Sequence, residues 1–212
     1  MKFSNILAAT FAFSVCGATA RELEPIESLP KEVGGLEFSI VTQARWESQN
    51  YSNSHVELQL RIKNTGSKPL VFPTYETFDL ILKKADGSSM SFPNVGRDGT
   101  LNTPNFILKP GSAFSYPLNL ELRTGAKETK LVFNDGTGSW AIAPIAPGRY
   151  SVAFSLRTAS DSSMLPTNLS APLWSGTGQT DSVEVVLTAD LGPAKLQKKG
   201  EAAPSDGGKP SK

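Results

Sequence analysis

The sequence predicts an all-β antiparallel sandwich, and three observations carry that expectation. Apolar and polar residues alternate with a period of two in run after run; the clearest is Val56, Leu58, Leu60 and Ile62 between Glu57, Gln59, Arg61 and Lys63. Turn signals built from Gly, Pro, Asn and Asp separate these runs at short intervals. No stretch carries an amphipathic helical pattern of convincing length.

Taken in order, residues 1–20 read as an export signal. Lys2 supplies the positive end, Ile6 to Cys16 form a short apolar run, and Ala18-Thr19-Ala20 offers small residues for cleavage before Arg21. That run is too short for a membrane span, which needs about twenty apolar residues, so membrane insertion is not expected. Cys16 lacks the preceding small residue that lipid attachment requires, since Phe13-Ser14-Val15 stand before it. Residues 21–35 contain Pro25, Pro30, Gly34 and Gly35 and predict an irregular lead-in, because proline denies the ladder a donor.

The sandwich is expected over residues 36–190. Leu36, Phe38 and Ile40 alternate first, then the run around Leu58, which stops at Asn64-Thr65-Gly66 where Asn and Gly tolerate positive φ. Phe78, Leu80 and Leu82 precede Asp86-Gly87, a hairpin signal, with a returning strand over 89–92. Residues 93–105 show no sustained period and predict a long surface loop. Lys109-Pro110-Gly111 reads as a type II turn and launches Phe114, Tyr116, Leu118, Leu120 and Leu122. Residues 131–133 and 140–142 flank a glycine-rich turn, Ala146-Pro147-Gly148 introduces Tyr150, Val152, Phe154 and Leu156, and 182–187 form the last strand. Residues 191–212 hold five lysines, two acids and almost no large apolar side chain, so a disordered tail is expected.

Cleavage after Ala20 removes the single cysteine and one of 21 basic residues, leaving 20 bases against 20 acids. Such a balance lacks the clustered Lys and Arg that bind phosphates, so nucleic acid is not an expected partner. A chain of this size buries enough surface to stand without disulfides, and a monomer is expected. With His55 the only histidine, Cys-His pairs and Cys/His zinc sets are excluded, and any Ser-His-Asp triad would depend on that one residue, which carries no nucleophile motif beside it. Asp86, Asp98 and Asp135 each precede Gly, but none continues into the alternating acids of a calcium loop. No enzyme activity, cofactor or metal is therefore expected. Trp46, Trp140 and Trp174 are read as packing residues in preference to a sugar-stacking platform.

The segment from His55 through Asn64-Thr65-Gly66-Ser67-Lys68-Pro69-Leu70 resembles the strand and Asn-Thr corner of bacterial immunoglobulin-type domains. With Phe72-Pro73, Phe78-Asp79-Leu80, Asp86-Gly87, Leu108-Lys109-Pro110-Gly111 and Ala146-Pro147-Gly148-Arg149-Tyr150, it is similar to the bacterial intracellular proteinase inhibitor (BsuPI-like) family over roughly residues 56–156. The chain carries Thr74-Tyr75-Glu76-Thr77 where that family favours a Ser-Gly-Gln-like segment. Trp174-Ser175-Gly176 and Ser182-Val183 look like the closing corner and strand of other exported bacterial sandwich domains. The resemblance implies an immunoglobulin-like antiparallel β-sandwich and, as the alternative function, a proteinase inhibitor using residues 93–105.

The leading expectation is an exported, non-enzymatic binding module, periplasmic or extracellular, that presents loops to a protein or glycan partner, with a protease as the partner in the alternative. Loops at the ends of a rigid sandwich are where binding residues concentrate. Tyr75 and Phe92 border such loops and Arg97 and Asp98 lie within one; these four are the candidate binding residues.

Overall fold

A computed structural model describes residues 25–48, 53–92, 94–97, 105–125, 127–134, 138–158 and 169–189, with backbone alone for 94–97 and 189. In chain order the strands are β1 (Pro25–Glu27), β2 (Lys31–Val33), β3 (Leu36–Gln43), β4 (Arg45–Ser48), β5 (Asn53–Asn64), β6 (Leu70–Pro73), β7 (Phe78–Lys84) and β8 (Ser89–Met90). They continue with β9 (Asn94–Arg97), β10 (Asn105–Leu108), β11 (Ala113–Thr124), β12 (Thr129–Asn134), β13 (Gly138–Ile142), β14 (Gly148–Arg157), β15 (Thr177–Gln179) and β16 (Val183–Ala189). One sheet runs β1-β3-β5-β11-β12-β13-β9, with β2 also on β3; the other runs β4-β16-β14-β7-β8, with β15 on β14; β6 and β10 form a separate ribbon.

Alternation builds the core as expected. Along β5, Val56, Leu58, Leu60 and Ile62 are buried while His55, Glu57, Arg61 and Lys63 are exposed. Phe38, Leu60 and Leu120 of the first sheet join Trp46, Phe78, Val152, Phe154 and Val185 of the second in one apolar cluster, so the fold is an all-β sandwich of two packed, mostly antiparallel sheets. After Ala44 the first long strand changes sheets: β3 pairs with β5, whereas β4 lies parallel to β16.

The turn chemistry is local and specific. Gly111 takes φ +75° and the Ser112 N–H donates to the Lys109 carbonyl at 3.0 Å, the type II turn expected of Pro110-Gly111. The Asp86-Gly87 hairpin has positive φ only at Gly87 (+83°), with its N–H on the Lys84 carbonyl, so it is a turn followed by a bulge and lacks the two positive φ values of a type I′ turn. Asp86 accepts from both the hydroxyl and the backbone N–H of Ser88, and these bonds hold its carboxyl below the ordinary value. Asn64 is wholly buried at its corner: its Nδ2 donates to the Lys68 and Leu108 carbonyls, both at 2.8 Å, and its Oδ1 accepts from Gly66. The Tyr150 hydroxyl donates to the Ala146 carbonyl at 2.6 Å, pinning the Pro-Gly corner.

Two expectations are corrected. The lead-in is not irregular over its described part, since β1 and β2 both pair with β3. Pro25 stands at the first residue of β1 and Pro30 between the two strands, positions where a missing N–H costs the ladder nothing. The sandwich therefore includes residues 25–35. Residues 93–105 are not loop throughout either, because β9 pairs with β13 across a register shift at Ser139/Trp140. A short, bulged edge strand containing Gly96 leaves no alternation to read. The expected export signal, residues 93 and 98–104 of the expected loop, and the expected tail lie outside the described residues.

Candidate functional site

The two sheets are joined on one side through the β3–β4 crossover, and a cavity lies between them on the other. There residues of β7 and β8 in the second sheet line one cavity with residues of β12 and β13 in the first, and the chain passes from β8 in the one sheet to β9 in the other. The β8 pairing is short: only Leu82 with Met90 and Lys83 with Ser89. Beyond it, Phe92 leaves the sheet and turns its ring, half-buried, against the core.

The result is a slot of about 200 Å³ lined by Asp79, Leu80, Met90, Phe92, Phe133 and Trp140. Phe133 and Trp140 are register partners on β12 and β13, with ring centroids 5.9 Å apart and planes tilted by 39°. Phe133 is buried, whereas Trp140 is only half-buried and lines the opening. Five of the six lining residues are aromatic or aliphatic, polar atoms nevertheless make up more of the exposed wall than carbon does, and Met90 contributes a flexible thioether able to adjust to what enters. Its volume is below that of a pocket for a whole small molecule, roughly 300 Å³ and upward, and suits a single large side chain.

Asp79 marks the polar rim. Its carboxylate takes both terminal nitrogens of Arg157 on the outer face of the sheet. The same arginine reaches the neighbouring corner, donating from Nε to the Glu76 carbonyl at 2.8 Å and from its backbone N–H to Thr77 at 2.8 Å. Glu76 sits at φ +52°, left-handed and costly for a residue other than glycine. Arg157 and the Thr77 hydroxyl, which donates to the Pro73 carbonyl at 2.6 Å, fix the corner in that shape.

Of the four residues expected from sequence, Phe92 lines the slot and Tyr75 stands half-buried on the Arg157-braced corner just before β7. Arg97 is on β9, where only the backbone is described, and Asp98 lies outside the described residues. Met90, Phe133 and Trp140 were not among the candidates. Alternation marks the buried side chains, but it carries no sign that β8 ends early beside this cavity. Trp46 and Trp174 are fully buried, so the three tryptophans do not share a platform.

Two other surface clefts have simpler accounts. One, on the outer face of β1, β3 and β5, is a cross-strand ladder in which Arg61 pairs with Glu27 and Lys63 with Glu37. The other surrounds the β11–β12 hairpin, where Lys130 pairs with Glu128 and Arg123 with Glu121. Exposed pairs of this kind are worth about 0–1 kcal/mol and are ordinary solvated faces. Among the described residues no group of three or more His, Cys, Asp and Glu is placed to hold a metal ion. Comparison with protein-family models and with curated proteins finds no match for this chain.

Proposed function

We propose that the chain is an exported, non-enzymatic interaction module of immunoglobulin-like type that binds a partner protein by taking one of its apolar side chains into the Phe92–Trp140 slot. The slot itself carries this reading: half-buried Trp140, Phe92 and Met90 around a cavity of about 200 Å³, between β7–β8 of one sheet and β12–β13 of the other. Half-buried aromatic and Met side chains in a concave site are the usual anchors of protein interfaces. Asp79 is the only charged residue of the lining and is already paired with Arg157, so no free charged side chain points to a glycan over an apolar side chain. The immunoglobulin-like assignment is supported by the first strand divided between two sheets and by the Tyr150–Ala146 corner bond. The non-enzymatic assignment rests on the sequence, with His55 alone and no thiol after Cys16.

A photo-crosslinking amino acid placed at Phe92, compared with one at exposed His55, tests this in cells exporting the full chain. The expected result is a discrete protein adduct from position 92 only, lost when Trp140→Ala is added. Glycan binding without any protein adduct would overturn the choice of partner. Stoichiometric inhibition of serine or cysteine proteases by purified chain, insensitive to Trp140→Ala, would replace this reading with the inhibitor one.

A further inference from the structure

The backbone of β7 beside the slot has a direction that the hydrogen bonds establish. The Arg157 N–H donates to the Thr77 carbonyl, so Thr77 faces β14, while the Lys84 N–H and carbonyl bond Ser88 and Gly87 on the opposite side. The β7–β14 register runs without a break from Phe78 to Lys84, and successive residues alternate sides. Leu82 and Leu80 therefore direct their N–H and C=O groups away from β14, as Lys84 does. Leu82 meets Met90 there, but β8 ends at Met90, and no described strand pairs with Leu80 on that side.

A peptide edge and the slot thus adjoin at one residue, for Leu80 also lines the cavity with Met90, Phe92, Phe133 and Trp140. Tyr75 precedes this edge by three residues, and Phe92, two residues beyond the Leu82–Met90 pair, leaves the sheet at the level of Leu80. The part of β7 that β8 leaves uncovered, Phe78 to Ile81, spans about 10 Å at the ordinary strand rise, room for about three residues of added strand. Resting on the interaction-module reading, we infer that β7 recognises its partner by strand addition: an extended peptide segment hydrogen-bonds Leu80 and seats one large apolar side chain in the slot. Main-chain bonds supply affinity in such complexes and a pocket for one side chain supplies selectivity. Hydrogen-bond complementarity selects this occupant, because a peptide backbone offers both the acceptor and the donor that Leu80 presents, at the spacing of a neighbouring strand.

The test uses the purified full chain labelled with ¹⁵N and synthetic blocked peptides of alternating Thr and Val with a central Phe, Leu or Ala. In the free protein, the Leu80 amide should exchange faster than that of Ile81, which faces β14. The Phe and Leu peptides should slow Leu80 exchange and shift the Trp140 indole N–H. Affinity should fall by at least about tenfold with a central Ala, with Trp140→Ala, or with N-methylation of the peptide bond facing Leu80. If N-acetylphenylalanine amide moves Trp140 as far as the peptides do and N-methylation has no effect, strand addition is wrong while the slot reading stands. If Leu80 is as protected as Ile81 in the free chain, the edge is not open and the inference fails. If no probe moves Trp140, the slot reading fails and the inference with it.

Discussion

The indole N–H of Trp174 donates to the carbonyl of Val33 across 3.0 Å, joining the end of β2 to the segment that leads into β15. Trp174 also packs its ring against Phe38 and Phe72, with centroids 5.5 and 5.3 Å away. The contact is closed by two glycines. A Cβ on Gly34, at φ +60°, would lie 2.3 Å from the Ser175 carbonyl oxygen, and one on Gly176 would lie 2.7 Å from the Trp174 ring. Gly34→Ala is therefore expected to destabilise by more than about 1 kcal/mol, through strain and collision together. Trp174→Phe should cost about 2 kcal/mol or more, from the lost bond and the void left beside Phe38. Urea denaturation followed by circular dichroism measures both, and a Gly34→Ala chain as stable as the parent would refute the lock.

Asn64 supplies a sharper test because its two donors and one acceptor are all used in a buried corner. Asn64→Asp keeps the shape and replaces the donor nitrogen with an oxygen facing two carbonyls. A loss of about 3 kcal/mol near neutral pH is expected, shrinking in acid, where the introduced carboxyl regains one donor. Chemical denaturation at two pH values reads the difference.

Tyr150 predicts an alkaline limit. Burial raises its pKa above the ordinary value of 10.0 by disfavouring the charged phenolate. A raised folded-state pKa means that this contribution to stability is complete below the unfolded value, near 10, and is lost as pH rises through the folded one. Tyr150→Phe should cost about 0.5–1.5 kcal/mol at neutral pH through the missing bond to Ala146. It should also flatten the stability profile above about pH 10. An unchanged alkaline slope in the variant would remove Tyr150 as its source.

Pro117 guards a second edge. β12 pairs with β11 only from Asn119 onward, whereas Ser112 bonds Asn64 and so sets the even-numbered residues of β11 toward β5. Pro117 therefore turns its donor-less nitrogen to the side that β12 does not reach, which blunts an edge open to pairing. Pro117→Val restores a donor there. The variant is expected to gain mass with concentration in light scattering while the parent stays monomeric; equal masses would show that the proline does not protect this edge.

Much of this architecture is local and can be read directly. His55 to Asn64 alternates because a strand with one face on a core repeats every two residues, and Gly87 and Gly111 take positive φ because their turns demand it. The two departures share a cause. Pro25 and Pro30 suggested an irregular lead-in, and Gly96 with Pro93 a loop, yet proline and glycine are tolerated at strand ends and edges, and whether a segment lies at an edge is decided by distant partners.

By itself, the sequence determined the all-β class, the inward set of most strands and the main turns, since each follows from backbone sterics and burial over a few residues. The tertiary structure alone decided that β8 stops at Met90, that Phe92 and Trp140 line one cavity, and that Leu80 faces an edge no described strand covers. Those relationships depend on the registers of β7, β12 and β13, set by strand pairings between residues far apart in the chain, and no local pattern encodes where a pairing ends.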